Sequence, residues 1–107
     1  MTKTATDVDR KPPTLDVRGA FLRRTDLSNA NLERANLARA DFSNAILRGA
    51  NFKDANLDGT VLKGADLTDA RNLTLSQLAK AIVDETTTLP NQFSFRELTK
   101  HQAQVAD

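Results

Sequence analysis

From Leu15 to Leu67 the chain repeats one unit every five residues: a small residue, a polar residue and a large apolar one. Ala35-Asn36-Leu37, Ala40-Asp41-Phe42, Ala55-Asn56-Leu57 and Ala65-Asp66-Leu67 are examples. A five-residue step is incompatible with a helix, where it rotates the side chain by about 140° and scatters Leu22, Leu27, Leu32, Leu37 and Phe42 around the axis. It is equally incompatible with a continuous strand, because a step of five reverses the face at every repeat. The pattern needs a chain that turns a corner in each unit. The first and third residues then face inward from a short extended piece, the second faces outward, and the last two make the bend.

The inward set runs through eleven units without an insertion. The large position is filled by Val17, Leu22, Leu27, Leu32, Leu37, Phe42, Leu47, Phe52, Leu57, Leu62 and Leu67. After Leu15 the small position admits only Ala or Thr, which predicts a cramped site beside the wall. A stacked repeat of this kind is an all-β solenoid, an architecture whose walls serve mainly as surfaces for other molecules.

These residues resemble the pentapeptide repeat family, whose pattern is alanine, asparagine or aspartate, leucine or phenylalanine, then two variable positions. The resemblance implies a right-handed quadrilateral β-helix with one unit per side and four per coil. Eleven units then give just under three coils over residues 15–72, a stub on the order of 13 Å tall at the usual strand spacing. Asn and Asp at the second position read as turn-stabilising residues that hydrogen-bond nearby backbone, rather than as metal ligands.

The ends of a solenoid must be covered. After Ala70-Arg71 the register breaks at Asn72, and Thr74-Leu75-Ser76-Gln77 has the form of a capping box. Residues 73–90 are thus expected to form a C-terminal α-helical cap and turn, and they also resemble the tail that closes many bacterial members of the family. Residues 91–107 form a tail with a second capping box, Ser94-Phe95-Arg96-Glu97. There Phe93, Phe95 and Leu98 either fold back on the solenoid or present a dimerisation or docking helix. Residues 1–14, with Lys3, Arg10, Lys11 and Pro12-Pro13, read as a flexible arm with no signal-peptide character.

The catalytic inventory is thin, with His101 the single histidine and no cysteine, tyrosine or tryptophan. No phosphate loop, nucleophile elbow or metal-ligand spacing is present, so neither an enzyme, a cofactor nor a metal is expected. Without an apolar span the chain is expected to be cytoplasmic and away from the membrane. A net charge of +1 disfavours direct nucleic-acid binding.

Stacking every twenty residues would bring Phe21, Asp41 and Val61 onto one wall, flanked by Arg23, Arg24 and Lys63, with Ile46 and Arg48 on the next. These apolar and basic residues, where the repeat calls for Asn or Asp, form the candidate contact patch for an unidentified protein of acidic or mixed charge. The favoured function is a non-enzymatic interaction or scaffold module, with homodimerisation through a solenoid end or the tail as a further expectation. The alternative implied by the resemblance is a DNA mimic that binds DNA gyrase and protects it from quinolones. That role calls for a long acidic rod, whereas residues 15–72 carry eight acidic and nine basic side chains.

Overall fold

The computed structural model describes residues 15–98. The arm at 1–14, His101 and the rest of the tail after Leu98 lie outside the described residues. Within them the chain winds as a coil of twenty residues. Asp16 pairs in parallel with Asn36, Phe21 with Asp41, Asp26 with Ile46 and Asn31 with Asn51, and the same four columns continue to Asn56, Val61, Asp66 and Arg71. We number the sides 1 to 4 from the columns headed by Asp16, Phe21, Asp26 and Asn31.

Each unit solves its corner in the same way. The carbonyl of the large residue accepts the N–H of the next small residue, from Ala20 N to Val17 O through Ala70 N to Leu67 O, at 3.0–3.4 Å. The fifth residue of all eleven units, Gly19 through Asp69, has φ between 58° and 73°. A positive φ at the third residue of a four-residue turn is the signature of a type II bend. Two of every five residues are therefore spent on the corner. What remains is too short for a regular strand, so the pairing consists of single bridges rather than long ladders.

Between coils, the second residue donates its N–H to the small residue's carbonyl in the coil before, as in Asp41 N to Ala20 O at 2.8 Å. Its own carbonyl accepts from the preceding coil's large residue, as in Leu22 N to Asp41 O at 2.7 Å. Inside, Leu37, Phe42, Leu47, Phe52, Leu62 and Leu67 are each no more than 1% exposed. Full burial of one such side chain stabilises by roughly 1.5–3 kcal/mol. At the small position Thr60 is buried yet satisfied, its hydroxyl donating to Leu37 O at 2.7 Å.

The register break falls where the sequence places it, with Asn72 in a left-handed conformation and Leu73 taking the core position one residue late. The helix α1, Leu75–Lys80, follows behind Thr74, whose side chain accepts the Gln77 N–H while the Gln77 side chain accepts the Thr74 N–H. Gln77 Nε2 also donates to Phe52 O and Ala55 O at 2.9 and 3.0 Å, tying α1 to the coil above. The solenoid does not stop at residue 72. Ile82 pairs with Val61 and Thr88 with Asp66, so sides 2 and 3 gain a further rung at offsets of 21 and 22 residues. The first added residue arises because α1 replaces an extended side and its turn, and the second lies in the turn between Ile82 and Thr88, where Thr87 N donates to Asp84 O.

Candidate interaction surface

Side 2 carries the column Phe21, Asp41, Val61 and Ile82, all joined by bridges. Phe21 is 86% exposed and Ile82 43%. Ile46 lies on side 3 between Asp26 and Asp66 and is 38% exposed. The sequence reading thus placed Phe21 and Val61 on one wall and Ile46 on its neighbour, as the structure does. It missed Ile82, whose 21-residue offset hides it from a twenty-residue count.

What the polar second position normally does explains why these residues stand apart. In eight units its Oδ1 accepts the N–H two residues on, at 3.0–3.2 Å, from Arg18 N to Asp16 through Thr68 N to Asp66. This Asx turn braces the corner. Phe21, Ile46 and Val61 have no oxygen to offer, so the N–H groups of Arg23, Arg48 and Lys63 lack that brace. Each substitution gives up a hydrogen bond, and at Phe21 and Ile46 it also exposes an apolar side chain, whereas Val61 is half-buried.

The cations named with the patch are partly engaged within the wall. Arg48 Nη1 donates to Asp66 Oδ2 at 3.1 Å, and Arg23 Nε lies 3.9 Å from Asp41 Oδ2. The Asp41 carboxyl is held below its ordinary value first by the Ser43 hydroxyl, then by the Ser43 N–H, with Arg23 adding less. Asp66 is lowered in the same sense, the Thr68 hydroxyl leading and Arg48 contributing last. Lys63 contributes a smaller part of the lowering at Asp84, which the Thr86 hydroxyl dominates. Arg24 sits on the exposed corner with φ 60°. Asp41 separates Phe21 from Val61, so the two are about 9.6 Å apart along the column by strand spacing.

The tail residues divide. Leu98 is fully buried within the core cluster and Phe93 packs against that cluster, so these two are occupied by the solenoid itself, while Phe95 is half-buried. The fold-back alternative therefore describes Phe93 and Leu98, and neither is presented as a free docking residue. A shallow polar cleft lies between Asn56, Leu57 and Asp58 on one side and Ser76, Gln77 and Lys80 on the other. Among the described residues no cluster of three or more His, Cys, Asp or Glu is placed to hold a metal ion, and no helix is long and apolar enough to cross a membrane.

The family model for pentapeptide repeats matches residues 16–44 and 35–82 in eight copies. No curated protein matches the sequence. Among solved structures, a pentapeptide repeat protein from the cyanobacterium Cyanothece 51142 is 31% identical with a TM-score of 0.63, over 72% of this chain and 52% of that one. The chain thus spans about half the length of that protein. A pentapeptide repeat protein from Nostoc Pcc 7120 is 24% identical with a TM-score of 0.58, over 90% of this chain and 87% of that one. The fluoroquinolone resistance protein QnrB1 overlays at a TM-score of 0.34 and 17% identity, too loosely to bear on function.

Proposed function

The chain belongs to the pentapeptide repeat family, and on that premise we propose that it is a non-enzymatic protein-interaction or scaffold module. Its frame is a right-handed quadrilateral β-helix closed at the C-terminal end by α1 and the segment after it. Its contact surface is the wall of side 2 with the adjoining part of side 3. The observation that carries this reading is the exchange of the Asx brace for apolar side chains at Phe21, Ile46 and Val61, of which Phe21 and Ile46 are exposed and Val61 is half-buried in the wall. A protein that gives up local stability at particular exposed positions commonly gains function there. Arg24, Lys63 and the half-engaged Arg23 and Arg48 favour a partner of acidic or mixed charge.

The test is a pull-down from the source cell with the wild type and the Phe21→Asn/Val61→Asn variant. The variant is expected to fold and to lose the bound protein. Unchanged capture by the folded variant would remove side 2 from consideration. The gyrase-directed alternative finds no comparable support, since the repeat walls bear balanced charge. A supercoiling assay with and without a quinolone decides it directly: inhibition or protection by the purified protein would replace the reading given above.

A further inference from the structure

The two ends of the solenoid are not alike. At the C-terminal end the last repeats are covered: Gly59 N donates to Lys80 O, Leu62 N to Ile82 O and Leu67 N to Thr88 O, at 2.8–2.9 Å. Leu73, Leu78, Ala81 and Leu98 fill the space beneath. At the N-terminal end Val17, Leu22 and Leu27 are only partly buried, although they occupy the same positions as Leu37, Phe42 and Leu47 one coil further in. Leu15 beside them is 46% exposed.

The backbone of that first coil shows the same lack of cover. In every later coil the second residue points both its N–H and its C=O toward the coil before, where both are bonded. The corresponding groups of Asp16, Phe21, Asp26 and Asn31 have no partner among the described residues. Within the described residues each of the four sides thus directs one N–H and one C=O away from the stack, around an apolar centre.

We propose that this open end is a self-association surface and that its occupant is a second copy of the chain, joined end to end across a two-fold axis. A lone peptide strand can pair with one side at a time. Another four-sided coil can meet all four at once. A two-fold axis perpendicular to the solenoid reverses strand direction, so that second residues face second residues as antiparallel bonded pairs, each exchanging two hydrogen bonds. The same rotation preserves the hand of the coil, so the rising ramp of one end runs parallel to that of the other and the two mesh. Val17, Leu22 and Leu27 of both copies close over one another. The contact is independent of the side wall assigned to a partner protein, since it uses the end of the coil. One solenoid end is small beside a standard interface, so the association is weak and concentration-dependent.

Sedimentation velocity on the full chain from about 1 μM to about 1 mM, with amide hydrogen exchange at both limits, tests this. The expected result is a rise in mass from 11.7 kDa toward twice that value, with protection of the Phe21, Asp26 and Asn31 amides increasing in step. Val17→Lys, which sets a charge in the end face, is expected to hold the protein as a monomer, whereas Val61→Asn on the wall leaves association unchanged. If Val17→Lys fails to fold, the wild-type exchange pattern decides alone. A monomer throughout, a dimer whose three edge amides stay unprotected, or protection equal at both concentrations would each overturn the proposal. The last of these would mean that the chain's own residues cover the end.

Discussion

Asparagine and aspartate share the second position, but they keep different company. Asp26, Asp41 and Asp66 are followed two residues later by Ser28, Ser43 and Thr68, whose hydroxyls donate to the same Oδ1 that accepts the backbone N–H. Asn31, Asn36, Asn51 and Asn56 are followed by Glu33, Ala38, Lys53 and Asp58 and accept that N–H with no hydroxyl from the same residue, while Asn36 and Asn51 also accept from the side-chain amides of Asn56 and Asn72 in the next coil. A carboxylate is the better acceptor where two donors converge. Restoring the missing acceptor should stabilise the fold: Phe21→Asn, Ile46→Asn and Val61→Asn are each expected to add about 0.5–1.5 kcal/mol, the usual net value of one such bond. Thermal melts of the single and triple variants measure it, and a lower melting temperature would refute the account. The corner glycines separate in the same way. A methyl at Gly49 or Gly64 would run into the side-chain amide of Asn29 or Asn44 in the coil above, and both sites have positive φ, at +69° and +73°. At Gly19, also at positive φ, a methyl would meet nothing. Gly19→Ala should therefore cost only the left-handed conformational term of about 1–2 kcal/mol. Gly49→Ala and Gly64→Ala must in addition turn the Asn29 or Asn44 side chain away, so they are expected to cost no less, a ranking that denaturant titration checks.

At the scale of the element, the coil has no strand long enough to stand alone, so its stability lies in stacking. Leu37 in the middle coil is fully buried, with its N–H bonded to Asn56 O and its carbonyl accepting the Ala40 N–H and the Thr60 hydroxyl. Leu37→Lys would bury an unpaired charge in that position, at a cost of several kcal/mol, which is comparable with the whole stability of a small domain. Loss of the β-type circular dichroism signal and of cooperative melting is expected. A folded Leu37→Lys protein would contradict the inward assignment. The α1 segment illustrates a different economy: six residues would be marginal as a free helix, and the Gln77 amide both closes the capping box and bonds the carbonyls of Phe52 and Ala55.

Over the whole molecule, the acid response follows from where the carboxylates sit. Asp16, Asp26, Asp41, Asp66 and Asp84 all lie below the ordinary value of 3.8, chiefly through hydrogen bonds to residues just ahead of them. A group whose folded value is depressed contributes fully above its unfolded value and loses that contribution as pH falls through the folded one. Stability should thus be flat at neutral pH and decline below about 3.8. Because these groups occur from the first coil to the segment after α1, the loss is spread along the solenoid. Asp26→Asn/Asp41→Asn/Asp66→Asn keeps the Oδ1 acceptors but removes three titrating sites, so its acid midpoint in a circular dichroism titration should move to lower pH. An unmoved midpoint would show that other groups govern acid unfolding.

The five-residue period by itself determined the inward positions and the corner positions, because a strictly periodic chain meets the same local geometry in every unit; the wall to which each outward residue belongs followed only with the four units per coil that the family resemblance implies. That stacking placed Phe21 and Val61 in one column and Ile46 in the next, and the Thr-x-x-Gln pattern marked the capping box at Thr74. Tertiary structure decided what periodicity cannot reach. Ile82 and Thr88 join the ladder at offsets that the twenty-residue count misses, because α1 adds one residue and the turn between Ile82 and Thr88 adds another. Leu98 and Phe93 are committed to the core because a covered end must draw on whatever apolar residues follow the last repeat. That the outward backbone groups of the first coil find no partner among the described residues emerged only from asking where each group bonds, since hydrogen-bond satisfaction at an end depends on what stacks there and not on the local sequence.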